Sequence, residues 1–262
     1  MAAYLMFMTK SFTNQLAYRS DVWLRLLGNY FAILIQVEIW RSVIGDGDSY
    51  GVTIDQMITY SILNTLLVAL LLHGVSGKVD GSLKSGSIAV ELIKPLSYPL
   101  YLLFDALGQT LYKLVFTVIP SFLIAWLLFG MLPPASLIDL IGFVAALLIA
   151  MLVSFLLGYL VSLLAFWFMS HFALSWTLGG LITIFSGSFL PIWFYAPAWE
   201  FTAKLLPFQY LGYVPAAIYL GNMSDGMLWQ ILLIGLAWII GLLAIVQWLW
   251  SKAVRRLIVQ GG

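Results

Sequence analysis

The chain has 262 residues, of which 63% are hydrophobic and 9% charged, and its mean hydropathy is +1.02. Soluble domains carry about a quarter charged residues, so this chain cannot cover a water-exposed surface, and disorder is excluded because it needs low hydrophobicity and high net charge. A net charge of +1 and the absence of cysteine exclude a nucleic-acid-binding surface, disulfides and thiolate metal sites. What remains is an all-α membrane protein, with each crossing requiring about 20 apolar residues and no length left for a separate soluble domain.

Lys10 and Thr13-Asn14-Gln15 break the first apolar stretch, and no small-residue cleavage site follows, so no cleavable signal peptide is expected. Residues 2–21 read as an amphipathic interfacial helix, with Leu5, Met8, Phe12 and Leu16 at spacings of three and four. A first span is expected over about 22–43, with Trp23 and Trp40 at its ends. The polar turn Gly45-Asp46-Gly47-Asp48 separates it from a second span over about 54–73. A Gly-rich stretch over 74–95 follows, with glycines 74, 77, 81 and 86 allowing sharp turns before a short helix that begins near Ile88. Further spans are expected over about 102–129, which contains Pro120, and over 137–168, 172–190 and 227–250, giving six in all.

Between the fifth and sixth spans, Pro191, Pro197, Pro207 and Pro215 interrupt an otherwise apolar stretch. No piece between these prolines is long enough to cross a bilayer, so residues 191–221 read as a re-entrant helical hairpin. Positive charge gives the orientation. With the N-terminus inside, the cytoplasmic side receives Lys10, Arg19, Arg25, Lys78, Lys84, Lys94, Lys252, Arg255 and Arg256, whereas only Arg41 and Lys204 fall outside and Lys113 lies within the third span. Both termini are therefore expected in the cytoplasm and the hairpin on the outer face.

No catalytic constellation is present in this pattern. His73 and His171 have no partners at metal-ligand spacing. Gly77-Lys78 fails as a phosphate-binding loop, because the pattern requires glycine at position 72 and Ser or Thr at 79, where the chain has Leu72 and Val79. Polar groups inside spans are the functional suspects. Asp105, Gln109 and Lys113 recur every four residues on one face of the third span, which reads as a solvated pathway wall, as a helix interface, or as the outlying turns of an overlong span. Glu38 can pair with Arg41 one turn on. The short helix with Ile88 and Leu92 on its apolar side, ending at Lys94-Pro95, suits docking into a groove of a soluble partner.

Three stretches carry a family resemblance. They are Ser85-Gly86-Ser87-Ile88 with Leu92-Ile93-Lys94-Pro95-Leu96-Ser97, then Leu206-Pro207-Phe208-Gln209-Tyr210 with Tyr213-Val214-Pro215, and the ending from Trp248 to Gly262 with Arg255-Arg256. In that order on a six-span, N-inside chain they resemble the membrane subunits of type-two ATP-binding-cassette (ABC) exporter permeases. The ending is similar to that of a little-characterised subgroup in which two different permeases often share one ATPase type. The resemblance implies a permease dimer, homomeric or heteromeric, on two separate ATPase subunits that bind ATP and Mg, with no cofactor in this chain. It implies that Gly86, Ser87, Ile88, Leu92 and Pro95 form the ATPase-coupling contact, and that Pro191, Pro197, Pro207, Phe208, Tyr210 and Pro215 belong to the outer hairpin.

The expected function is export of an amphipathic, drug-like or lipid-like substrate across a bacterial cytoplasmic membrane, along a largely apolar and aromatic pathway between the two permeases. The alternative is an ion-coupled secondary transporter. That would need intramembrane acids, for which Asp105 and Glu38 are the only candidates.

Overall fold

At bilayer depth no water satisfies the peptide groups, so apolar runs must close their hydrogen bonds within themselves. The computed structural model describes residues 2–17, 19–45, 51–71, 75–164, 166–168 and 171–260, and among these all regular secondary structure is helical, with no strand. The expected turn at Asp46-Gly47-Asp48, His73, Gly74 and the terminal Gly261-Gly262 lie outside the described residues, as do the side chains of His171 and Arg256. The α-helices are α1 (Ala2–Gln15), α2 (Arg19–Ile44), α3 (Ile54–Leu70), α4 (Val75–Lys84), α5 (Ile88–Ile93), α6 (Tyr98–Lys113), α7 (Ile119–Phe129), α8 (Leu137–Leu164), α9 (His171–Phe185), α10 (Pro197–Leu205), α11 (Tyr213–Tyr219) and α12 (Asp225–Gln260).

Four helical segments are long and apolar enough to cross a membrane: Ser20–Ile44, Tyr98–Phe129, Leu137–Leu164 and Gly226–Arg255. Two shorter apolar helices, Ile54–Leu70 and Phe172–Phe185, occupy the places expected for spans two and five. The fifth stops at Phe185 rather than at 190. There the chain turns through Gly187 (φ +72°), where a Cβ would meet Ile192 at 2.8 Å and Tyr213 at 2.9 Å. Large apolar side chains such as Leu24, Phe31, Leu127, Leu233 and Ile240 remain exposed along these helices. So much exposed apolar surface needs a lipid or protein partner.

The segment Tyr98–Phe129 combines α6 and α7 through a π-helical turn over Leu114–Val118. Pro120 accounts for it. Its ring would clash with the carbonyl four residues back in a regular α-helix, and the widened turn, closed by Ile119 N–H to the Leu114 carbonyl, makes room.

The core centres on α8, with α11, α12 and the segment Pro207–Leu211 packed against it. Close approach is set by small residues. A Cβ on Gly142 would meet Leu228 at 2.9 Å, and one on Gly235 would meet the Tyr210 ring at 2.7 Å. The Tyr210 hydroxyl donates to the Ile231 carbonyl at 2.7 Å, pinning the segment before α11 to α12.

Helix α1 lies along α6. Phe7 meets Tyr101 edge-on at 4.9 Å, Phe12 meets Tyr112 at 5.8 Å, and the Ser97 N–H donates to the Tyr4 hydroxyl at 2.9 Å. The covered stripe is Tyr4, Phe7, Met8, Ser11 and Phe12, while Leu5, expected on the apolar face, is exposed. Gly108 sets this rotation, because its bare Cα admits the Met8 carbonyl and Ser11 at a spacing that no side chain would allow.

Candidate functional site

The stretch over 75–95 holds two helices where only one was expected. Gly77 and Gly81 lie inside α4, not in turns, and only Gly86 uses positive φ (+72°) to reverse the chain between α4 and α5. A helix interior glycine costs about 1 kcal/mol relative to alanine. Burial of Val75 and Val79 in the core around α8 overrides that cost.

Lys78 of α4 reaches Asp105 of α6 at 2.7 Å and lies 4.6 Å from the centre of the Tyr101 ring, the same ring that Phe7 of α1 touches. Gln109 also donates to Asp105, at 3.0 Å. The expected polar face of α6 is thus divided: Asp105, braced by Gln109 of the same helix, joins α4 to α6, while Lys113 lines a different cavity.

Burial alone would lower the pKa of Lys78, but the hydrogen bond and charge of Asp105, with Tyr101, hold it above the usual lysine range. A base raised by folding stabilises the protein below its unfolded pKa of about 10.4, and that stability is lost as pH rises through the folded value. Asp105→Asn therefore melts below wild type up to about pH 10.4, and the gap closes at higher pH. A gap in melting temperature that stays constant to alkaline pH would show that the pair contributes no linkage.

Helix α5 presents two different faces. Ile88 is 2% exposed and belongs to the main core, and Leu92 is half-buried beside it. Val90 and Ile93 stand out at 63% and 83% exposure, flanked by exposed Gly86, Ser87, Lys94 and Pro95. Of the five expected contact residues, Gly86, Ser87 and Pro95 are on the surface, Ile88 is inside, and Leu92 lies between. Spacing along the sequence could not have singled out Val90 and Ile93, since the helix is apolar on both sides. Leu92 also lines an apolar cavity of about 710 Å³ with Tyr98, Phe155, Tyr159 and Trp250, between the start of α6 and the ends of α8 and α12.

A second cavity, of about 480 Å³, is lined by α2, α3, the π turn and the loop after α9. Its wall is more polar than composition suggested, with Arg25, Asn29, Gln36, Asn64, Thr65, Lys113, Thr117 and Ser188. Gly28, Ala32 and Ala69 keep it open. Arg25 is held by Asp21 at 2.7 Å, whereas Lys113 makes no ion pair among the described residues. Gln36 Oε1, Asn64 Oδ1, Thr65 Oγ1 and Thr117 Oγ1 in the same wall are buried without a hydrogen-bond partner. Each such group costs about 1–3 kcal/mol, and a charged side chain at the centre of a span costs about 2.5–3.5 kcal/mol.

The proline-rich region forms two short helices, α10 and α11, neither long enough to cross a bilayer. Pro197 opens α10, Pro207 opens a 3-10 turn, and Pro191 precedes another. All of α11, including Pro215, is buried, as are Phe208 and Tyr210. Trp199, Phe201 and Leu205 of α10 are exposed. The Tyr219 hydroxyl donates to the Leu132 carbonyl at 3.1 Å, and Trp40 stacks on Phe194 at 5.6 Å. The proline-rich region is therefore at the end of the protein opposite the stacked Tyr98–Trp250 pair, which lies beside α4 and α5.

Apolar helices around an α8 core, a short two-helix module at one end and a proline-broken segment of short helices at the other define a multi-pass membrane protein of the permease type. A family model described as ABC-2 family transporter protein matches residues 29–261, most of the chain, and the chain belongs to that family. It is thus the membrane subunit of an ABC-type transporter, a family that normally works with an ATPase subunit. No curated protein and no solved structure matches the chain.

Proposed function

We propose that the chain is one of two permease subunits, identical or homologous, in an ATP-driven exporter of an amphipathic, drug-like or lipid-like substrate. Two copies of a separate ATPase bind ATP and Mg. Six spans, including the short α3 and α9, sit in a bacterial cytoplasmic membrane with both termini inside. Residues 191–221 re-enter from the outer face. The charge distribution supports this orientation: α1, α4, α5, the start of α6 and the end of α12 share one end of the fold, and with them Lys10, Lys78, Lys84, Lys94 and Lys252.

The observation that carries the reading is α5. It exposes Val90 and Ile93 on its outer side while Ile88 is keyed into the core on the inner side. An ATPase groove that takes Val90 and Ile93 moves a helix whose other face is locked to the spans. The push reaches α8 through Val75, Val79 and Ile88, and α6 through the Lys78–Asp105 ion pair. Ion-driven transport is disfavoured because both candidate acids are engaged, Asp105 by Lys78 and Glu38 by Arg41, each at 2.7 Å.

Co-expression with an ABC-type ATPase from the same genome tests the proposal. The two proteins copurify, and ATP hydrolysis responds to the presence of the permease. A permease that transports in vesicles without any ATPase would overturn it.

A further inference from the structure

The polar cavity continues outward. A smaller cavity of about 180 Å³ shares Gln36 and Phe189 with it and is otherwise lined by Ile39, Trp40, Val43 and Leu190. Their linings follow one another along α2 from Arg25 to Val43, about 27 Å at 1.5 Å per residue. One end has the Lys113 and Arg25 cations with a single carboxylate, Asp21, which Arg25 already engages. Asn64, Thr65 and Thr117 line the same end. The other end is apolar. A single leaflet with its headgroups is about 20 Å thick, so the groove is long enough for a headgroup and one acyl chain.

We infer that this groove binds the transported substrate and that the substrate is an anionic amphiphile. Its anionic group sits on Lys113, and its chain runs toward Ile39 and Val43. The π turn serves the site by placing Thr117 in the same wall as Lys113, where π turns inside helices often mark function. This inference rests on the permease reading for the word substrate, but not for the site itself.

The test is equilibrium binding of radiolabelled dodecyl phosphate to the purified full chain in neutral maltoside micelles, with no ATPase present. Wild type binds saturably. Lys113→Met weakens binding about tenfold or more, equivalent to 1.4 kcal/mol, and Lys113→Arg keeps it within about threefold of wild type. Gly28→Leu, whose side chain enters open space in the cavity, abolishes binding while leaving Lys113 in place. It decides the matter if Lys113→Met fails to fold. Neither dodecyltrimethylammonium nor inorganic phosphate at the same concentration displaces the probe.

Unchanged binding in Gly28→Leu and Lys113→Met overturns the site. Equal displacement by the cationic amphiphile overturns recognition of the anion, and equal displacement by inorganic phosphate overturns the amphiphile. Saturable binding without ATPase copurification would sink the exporter reading and leave the site standing. Copurification without binding does the reverse.

Discussion

Ile93→Asp in the assembled transporter separates ATP hydrolysis from transport while the permease remains folded, whereas Ile88→Asp prevents stable folding. The two isoleucines lie in one six-residue helix, and they differ in what surrounds them. Ile93 is 83% exposed, so a carboxylate there stays hydrated and costs the isolated permease little. If Ile93 is an apolar anchor in the ATPase groove, its loss weakens docking by about 2 kcal/mol, roughly thirtyfold in affinity. Val90→Asp acts in the same direction, since it sits on the same exposed side.

Ile88→Asp instead deletes a core side chain and buries an unpaired carboxylate, a combined cost of about 4 kcal/mol or more. The measurements are melting temperature of the purified permease, ATPase copurification, and transport in reconstituted vesicles. Normal transport by Ile93→Asp with the ATPase bound would remove α5 from the coupling contact.

Gly108→Leu releases α1 from α6. A Cβ at this position would lie 2.2 Å from the Met8 carbonyl oxygen and 2.9 Å from the Ser11 Cβ, and the nearest obstacle is backbone, which cannot rotate away. Overpacking of this kind costs about 1–3 kcal/mol. That corresponds to roughly a 5- to 150-fold gain in the undocked population of α1. The natural chain has no cysteine, so a single Ser11→Cys reports on docking without background. Ser11 is 6% exposed, and its cysteine is therefore protected from a maleimide in the otherwise native chain. In the Gly108→Leu background its labelling rate rises about tenfold. An unchanged rate would mean that α1 is held by contacts other than this close crossing. Because α1 touches Tyr101, which also receives Lys78, its release loosens the α4–α6 link as well.

Much of the architecture was legible from the chain alone because membrane insertion depends on long-range sums. Hydropathy located the four long apolar helices and the two shorter ones, and proline spacing ruled out a regular span between Leu190 and Gly221. Pro120 also signalled a disturbance in its span, although not that it takes the form of a π turn. The missed features depend on contacts between residues distant in sequence. Helix α4 was hidden by Gly77 and Gly81, whose poor local propensity is outweighed by Val75 and Val79 packing near α8. The polar cavity was missed because Asn29, Gln36, Asn64, Thr65 and Thr117 come from three separate segments, and no one of them forms a pattern.

Composition and charge by themselves determined that this is a multi-pass helical membrane protein, because apolar length and flanking cations act one segment at a time. Only the tertiary structure decided which face of each amphipathic piece turns inward. Ile88 and Ile93 are chemically the same residue, and Asp105 pairs with Lys78 of another helix, a partner that no spacing along the chain marks. The choice in each case was made by packing around α8 and by the close crossing at Gly108, where shape complementarity between distant segments outweighs local preference.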